Sequence, residues 1–164
     1  SLASEIIKGG LDLVHFNSHL YQQWNLNKVH LHGLAMKHAS LYCQGKVGLI
    51  KIPAELMQQT GTNPEDCEGV VNYVRSIKGV KVATSLREDS ENKIKMSLRS
   101  WGDVDVNAIA HSLGGGGHHN AAGGTFYMSM QEAAELVLEK IEQHLDSGTE
   151  DRKLGANNMK DVVT

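Results

Sequence analysis

The sequence lacks several features that mark large classes of proteins. Its two cysteines, Cys43 and Cys67, form neither a metal-ligand spacing nor a disulfide framework, which favours free thiols in a reducing cytoplasm. No apolar run approaches the ~20 residues that a membrane-spanning helix needs. No basic and then apolar signal peptide opens the chain. These absences predict a cytoplasmic protein that makes no contact with a membrane.

The charge of the chain is slightly negative and unevenly distributed. A formal net charge of −3 over 164 residues argues against nonspecific binding to nucleic acid. Between Arg75 and Arg99, seven bases stand against three acids, which permits either a local anion site or a solvated strand face. The length suits one compact domain with an attached helical piece. Because the chain begins at Ser1 rather than at methionine, we expect it to be part of a longer protein.

Hydrophobic periodicity predicts an α/β (α+β) fold in three segments. Residues 1–38 are expected to form a helical connector or hairpin packed on the domain, residues 39–146 the domain itself, and residues 147–164 a disordered tail. The domain should contain a mixed sheet of about five strands covered by helices. The predicted strands are 41–43, 47–52, 80–87, 93–99 and 122–128, and the predicted helices are 2–9, 11–24, 26–37, 53–60, 64–73, 106–112 and one that begins at 129.

Two consecutive strands are predicted to form a hairpin with one apolar and one polar face. A turn near 88–92 that matches the apolar faces places Leu86 opposite Ile94. Arg87 and Arg99 then share the polar face but lie about 20 Å apart, so one phosphate cannot contact both. Arg99 is the better candidate, because it ends its strand shortly before a glycine-rich segment. Arg87 stands beside two acids and is expected to form a solvated ion pair.

Residues 114–123 read Gly-Gly-Gly-Gly-His-His-Asn-Ala-Ala-Gly. Four consecutive glycines cost backbone entropy, and the usual reason is that a ligand or another backbone must approach closely. Bare N–H groups beside an imidazole suit an anion, most often a phosphate. A flexible linker and a purely structural turn are the alternatives. A P-loop is excluded, because no Gly-Lys-Ser/Thr follows the glycines.

Three motifs together resemble the C-terminal, DHH-associated domain of DHH-superfamily phosphoesterases. They are Glu68-Gly-Val-Val-Asn72-Tyr-x-Arg75-Ser-Ile-x-Gly79-Val80, Ser97-Leu-Arg99-Ser100 followed by Gly102-Asp-Val-Asp-Val, and Gly114-Gly-Gly-Gly-His118-x-x-Ala-Ala-Gly123. The resemblance covers roughly residues 10–145. It points to the branch of nanoRNase-type oligoribonucleases and 3′-phosphoadenosine-5′-phosphate phosphatases.

The resemblance implies the substrate-binding domain of a Mn²⁺-dependent hydrolase of short oligoribonucleotides or nucleoside bisphosphates. In that family an N-terminal domain holds two Mn²⁺ ions with Asp and His ligands, including an Asp-His-His triplet. This sequence has no such triplet, because Gly117 precedes its His118-His119 pair. The resemblance therefore implies no catalytic residue and no metal ligand in this chain. It implies a separate catalytic domain and a nucleotide or short single-stranded RNA as partners.

The family's phosphate-binding residues can be carried over by position. In the family, a strand arginine and the glycine-rich motif grip the nucleotide or its phosphate, and Asn120 lies in the same loop at a variable position. The substrate-binding residues implied are Arg99, Gly115, Gly116, Gly117, His118 and Asn120. Asn72 and Arg75 match the upstream motif, where a structural and a substrate-facing role both remain open. Arg87 is a further candidate, for which a solvated ion pair is the alternative.

Two other functions remain open at this point. The same kind of domain could belong to a hydrolase of cyclic dinucleotides or polyphosphate. It could also be a tRNA-binding module without catalysis, like the domain that follows the editing region of alanyl-tRNA synthetases. That last function predicts a broad basic face, which the net acidic charge disfavours. The oligomeric state does not follow from these patterns.

Overall fold

The computed structural model describes the backbone of residues 24–158 and the side-chain surroundings of residues 24–146. The helices predicted at 2–9 and over most of 11–24 lie outside the described residues. Within the described part, six strands form one sheet and five α-helices cover it. The predicted α/β class with a mixed sheet is therefore confirmed.

The strands and helices have the following bounds. The strands are β1 Ser40–Tyr42, β2 Val47–Ile52, β3 Val82–Ser90, β4 Lys93–Ser100, β5 Gly116–His118 and β6 Ala121–Tyr127. The α-helices are α1 Leu26–Lys37, α2 Ala54–Thr60, α3 Val70–Arg75, α4 Val106–Ser112 and α5 Met130–Asn158, with short 3₁₀ turns at Cys43–Gly45 and Pro64–Cys67.

The sheet has the order β1-β2-β3-β4-β6-β5. Strands β2 and β3 are parallel, and every other described pair is antiparallel. A parallel pair needs a crossover connection, and here helices α2 and α3 supply it. The sixth strand, β5, was not predicted, because it lies within the glycine run that the sequence analysis interprets as a loop.

Helices pack on both faces of the sheet and create two apolar cores. One core joins Val82, Leu86 and Met96 to helices α4 and α5. The second core joins Ile50 and Ala83 to helices α1, α2 and α3. Ala83 is fully buried, so the first half of the hairpin is apolar on both faces rather than on one as predicted. Further along β3 and β4 the second face carries polar side chains and becomes partly exposed.

Side-chain caps fix the first turns of two helices. The Asp105 carboxylate accepts from Asn107 and Ala108 N–H at 2.8 and 3.1 Å and begins α4. Ser129 and Glu132 form a capping box at the start of α5. The helix predicted over 64–73 is instead divided, with a 3₁₀ turn before the break and α3 after it.

Helix α5 continues to Asn158, through part of the segment expected to be a disordered tail. Adding one residue to an existing helix costs little, whereas starting a new helix is unfavourable. A polar segment can therefore continue a helix that its packed first turns have begun. The predicted domain boundaries are not tested by this observation and stay predictions. None of the helices in the described part of the chain combines the length and the apolar character needed to cross a bilayer.

The register of the β3–β4 hairpin differs from the prediction by two residues. Leu86 lies opposite Met96 rather than Ile94. A register irregularity near the end of β3 and a tight turn at Asn92, which has a positive φ of 56°, account for the difference. A shift of two residues leaves every side chain on its predicted face. It reduces the separation of the Arg87 and Arg99 Cα atoms from about 20 Å to ~14 Å.

His32 on α1 is a buried polar side chain, only 2% exposed. Its Nε2 donates to the Asp66 carbonyl at 2.7 Å, and its Nδ1 lies 3.3 Å from the Tyr73 hydroxyl. Because a carbonyl only accepts, Nε2 carries the proton of the neutral ring and Nδ1 accepts from Tyr73. Burial lowers the pKa of His32, and the hydrogen bond to the Asp66 carbonyl opposes this effect only in part.

We expect the free energy of unfolding to decrease as the pH falls below about 6.5, the ordinary pKa of histidine. Below this pH the histidine of the unfolded chain is protonated, whereas folded His32 accepts a proton only at a still lower pH. The contribution of His32 to the free energy of unfolding is therefore complete above the ordinary pKa and is lost as the pH falls below it. Denaturant unfolding of wild type and His32→Gln between about pH 7.5 and 5 measures the effect, and the variant should depend less on pH. His30→Gln, an exposed position on the same helix, is the control. The same pH dependence in wild type and His32→Gln would contradict the prediction.

Candidate functional site

A cavity of about 380 Å³ opens on the polar face of the β3–β4 hairpin. Its floor carries three bases, namely Arg87, Lys95 and Arg99. The opposite wall is the segment around the break between the 3₁₀ turn and α3, and it presents Glu65 and Glu68. Because the helix is interrupted there, the cavity is lined by irregular backbone rather than by one side of a continuous helix. The cavity thus has a cationic floor and an acidic rim.

Arg87 is held by the protein itself. Its Nε donates to the Asp89 carboxylate at 2.6 Å, and its Nη1 donates to the Pro64 carbonyl at 2.7 Å. The side chain is only 16% exposed, so the pair with Asp89 exists as predicted but is largely buried rather than solvated. The hydrogen bond to Pro64 joins β3 to the opposite wall of the cavity. This geometry indicates that Arg87 shapes the cavity and has fewer donors left for a ligand.

Arg99 is held more loosely. Its Nη1 donates to the carbonyl of Leu98 at 2.8 Å, and it pairs with no carboxylate among the described residues. The side chain lines the cavity and is partly exposed. A guanidinium has five donors in a planar fork that matches a phosphate. Arg99 therefore offers the cavity a positive charge with most of its donors unused.

The glycine run has structural reasons at three of its four positions. Gly114 ends α4 with a positive φ of 77°, as helix termini often require. A Cβ at Gly115 would overlap the carbonyl oxygen of Gly123. A Cβ at Gly117 would lie 2.5 Å from the carbonyl oxygen of Ala121, and the φ of Gly117 is 156°. The close approach inferred from the sequence is thus made by the neighbouring strand β6.

Gly116 differs from the other three glycines. The nearest atoms to a Cβ at this position are His111 Nε2 at 3.9 Å and Asn107 Oδ1 at 4.0 Å, which is ordinary contact distance. Asn107 Oδ1 is buried and has no hydrogen-bond partner among the described residues. Gly116 is therefore the position in the run where packing within the described residues gives no reason for the missing side chain.

The sheet register brings His118 into one row with Arg99. Ala121 on β6 lies opposite Arg99 on β4, and His118 on β5 lies opposite Ala121. Residues directly opposite in antiparallel strands share a face, and two strand spacings amount to about 10 Å. His118 is exposed. Two of the residues predicted to bind phosphate, Arg99 and His118, thus lie at the same end of the sheet.

Asn120 holds the turn between β5 and β6. Its Nδ2 donates to Ser100 Oγ at 2.9 Å and to the Gly102 carbonyl at 3.1 Å. The neighbouring His119 lies 3.6 Å from the Asp105 carboxylate. Hydrogen bonds from the start of α4, together with His119, hold the pKa of Asp105 below its usual value. These contacts give Asn120 a positioning role, because both donors of its amide are already used.

The upstream motif places Arg75 against a tryptophan. Arg75 Cζ lies 4.5 Å from the ring centroid of Trp101, and Trp101 Nε1 donates to the Arg75 carbonyl at 3.1 Å. Asn72 is half-buried one turn earlier on α3. The sequence analysis did not identify Trp101 as a site residue. The signal available was its place directly after the Arg99-Ser100 pair.

Two further cavity residues, Lys95 and Ser97, were also missed by sequence reasoning. Both lie on the face of β4 that carries Arg99, at intervals of two residues. The period of a strand could have identified them once Arg99 was chosen.

A metal site within the described residues would need a cluster of suitable side chains. No cluster of three or more His, Cys, Asp or Glu side chains in this part of the chain is arranged to hold an ion. The pair of Mn²⁺ ions implied by the resemblance thus has no matching ligand set among them.

The fold and the cavity define an α/β domain whose sheet carries a cationic site beside a glycine-rich edge strand. The family described as the DHHA1 domain matches residues 28–147, and the chain belongs to this family. The resemblance stated from the sequence is therefore confirmed.

Three relatives are informative. The bifunctional oligoribonuclease and PAP phosphatase NrnA of Thermus thermophilus is 37% identical over 99 residues, which is 60% of this chain and 30% of the relative. NrnA of Bacillus subtilis is 27% identical over 137 residues, or 84% of this chain and 42% of the relative. The crystal structure of an exopolyphosphatase-related protein from Bacteroides fragilis superposes with a TM-score of 0.81 at 34% identity, over 87% of this chain and 42% of that protein. The chain thus spans less than half the length of these relatives.

Proposed function

We propose that this chain is the substrate-binding part of a phosphoesterase that acts on short oligoribonucleotides or nucleoside bisphosphates. The observation that supports it is the row formed by Arg99 and His118, which share one end of the sheet. Within the described residues the Arg99 guanidinium has no carboxylate partner, and the His118 imidazole is exposed. Both groups can donate to a phosphate, and a phosphate favours the charged form of the imidazole. The similarity to the two NrnA proteins supports a nucleotide-type substrate.

The domain contributes by positioning the substrate. A phosphate held by Arg99 and His118 fixes one end of a short nucleotide, so that a second phosphate is presented in line with a catalytic group elsewhere. In the proposed parent enzyme, a companion domain would hold two Mn²⁺ ions, and these ions would supply an activated water. No cluster of three or more suitable ligands for such ions lies among the described residues, and binding and orientation are the role proposed for this part of the chain.

The distribution of charge favours a short substrate over a long RNA. The bases Arg87, Lys95 and Arg99 lie within one cavity, and Glu65 and Glu68 stand on its rim. A surface that follows an extended phosphate backbone needs a continuous basic stripe, and carboxylates beside the site would repel it. A cationic cavity of limited size with an acidic rim suits one or two phosphates.

The proposal is tested by titrating the 164-residue chain with 3′-phosphoadenosine-5′-phosphate and with a 5′-phosphorylated dinucleotide while amide shifts are followed by NMR without added metal. We expect shifts concentrated at Arg99 and at residues 115–120, because the ligand phosphate changes the electrostatic field at these amides. A 20-nucleotide RNA at equal phosphate concentration is the comparison ligand. Absence of shifts at millimolar ligand, or shifts spread over the whole surface, would contradict the proposal.

A further inference from the structure

Trp101 is an exposed tryptophan in a chain with few aromatic residues. The sequence contains two tryptophans and 5% aromatic residues, and 60% of the surface of Trp101 is accessible. A large aromatic ring left in water forgoes the stabilisation that burial would provide. Its position between the end of β4 and the start of α4, near the Asn120 turn, places this exposed ring beside the candidate phosphate site.

The ring is held in one orientation despite its exposure. The guanidinium of Arg75 stacks on it at 4.5 Å, and Trp101 Nε1 donates to the Arg75 carbonyl. Arg75 Nε is buried and has no hydrogen-bond partner among the described residues, whereas the guanidinium contacts the Trp101 ring. One guanidinium covers one face of an indole, and the 60% exposure indicates that the opposite face is open to solvent. The structure thus provides a fixed aromatic face.

The sheet places this face next to Arg99. The backbone N–H of Trp101 donates to the Lys81 carbonyl at 3.3 Å, which continues the β3–β4 hydrogen-bonding pattern by one residue. Residues i and i+2 of an extended strand point to the same side and are separated by about 6.6 Å. Trp101 and Arg99 therefore lie on the face that α3 covers, and α3 carries Arg75. A nucleotide separates its phosphate from its base by one ribose, a distance of the same order.

We propose that Trp101, stacked on Arg75, is a platform for the nucleobase of the nucleotide whose phosphate Arg99 binds. The inference rests on the proposed function, because it requires a nucleotide in the cavity. Every base has a π face, so such a platform selects for a nucleoside over other phosphate compounds without selecting a particular base. Stacking contributes about 1–3 kcal/mol per base in single-strand binding proteins, which corresponds to about a 5- to 150-fold change in affinity.

Trp101 fluorescence provides a direct measure of stacking. Replacing Trp24 with phenylalanine leaves Trp101 as the single tryptophan of the chain. Adenosine 5′-monophosphate and ribose 5-phosphate form a matched pair of ligands that differ by the base. We expect the nucleotide to quench Trp101 emission and ribose 5-phosphate to bind, as measured by amide shifts at Arg99, without quenching.

Variants separate stacking from a structural role of the ring. Trp101→Leu should weaken the binding of adenosine 5′-monophosphate by about 5- to 150-fold and leave the affinity for ribose 5-phosphate unchanged. Trp101→Phe should restore most of the nucleotide affinity, because it keeps a π face. Absence of quenching while the nucleotide shifts Arg99, or an equal loss for both ligands in Trp101→Leu, would overturn the inference and leave the proposed function standing. Failure of both ligands to bind the wild-type chain would overturn the proposed function as well.

Discussion

The Arg99→Ala protein is expected to bind 3′-phosphoadenosine-5′-phosphate about 1.5–3 kcal/mol more weakly than wild type, which is roughly a 10- to 150-fold increase in Kd. Arg99 lines the cavity and forms no ion pair within the described residues, so its donors are available to a ligand. The fold should change little, because the one hydrogen bond lost is to the carbonyl of the adjacent Leu98. Isothermal titration calorimetry measures the affinity, and circular dichroism shows that the variant is folded.

Lys93→Ala is the matched control for the loss of one positive charge. Lys93 lies on the same strand, at its opposite end, and does not line the cavity. If the effect at Arg99 came only from the total charge, both variants would lose affinity equally and both losses would disappear at high salt. An unchanged Kd in a folded Arg99→Ala protein would remove Arg99 from the site.

The faces of the hairpin could be predicted from the sequence, but its register could not. Alternation with a period of two places Arg87 and Arg99 together on the polar face, and the structure keeps them there. The pairing of Leu86 with Met96 depends on where the strand becomes irregular and on the left-handed conformation of Asn92. Both features depend on the local backbone conformation, which an alternation of apolar and polar residues does not predict. As a result, the distance of about 20 Å predicted between the two arginines is too long, and the structure lines one cavity with both.

The sequence also did not predict the wall of the cavity that faces the hairpin. Asn63 is an N-cap residue and Pro64 follows it at the first helical position, and together they predict one helix over 64–73. The structure divides this segment before Val70 and turns Glu65 and Glu68 toward the cavity. The contact between Arg75 and Trp101 joins residues 26 positions apart, and nothing in either local segment predicts it.

The glycine run shows why a composition signal can have two physical causes. Four glycines predict a close approach but do not say what approaches. The group that approaches is the backbone of β6, which begins with Ala121-Ala122-Gly123-Gly124 and packs against β5. Small residues on both sides of a turn indicate two closely packed backbones. The sequence analysis used them instead as support for a phosphate-binding loop.

Because a Cβ at Gly117 would overlap β6 whereas a Cβ at Gly116 would not, alanine substitutions at these two positions should have different effects on stability. Gly117→Ala should lower the free energy of unfolding by about 2–3 kcal/mol, because a Cβ there would lie 2.5 Å from the carbonyl oxygen of Ala121 in a conformation that favours glycine. Gly116→Ala should change it by less than about 0.5 kcal/mol, because the nearest atoms to its Cβ are 3.9 Å away.

Denaturant unfolding and ligand titration of the two variants test this pair together. Each adds one methyl group to the same short strand, so each serves as the control for the other. Gly116→Ala should keep the unfolding midpoint of wild type, because its Cβ makes only ordinary contacts with Asn107 and His111. It should lose affinity for 3′-phosphoadenosine-5′-phosphate, because the proposed phosphate contact needs the backbone N–H groups of the glycine run unobstructed. If Gly116→Ala binds like wild type, the glycine run serves only the pairing of β5 with β6. The phosphate would then be bound by Arg99 and His118 without a contribution from the glycine at position 116.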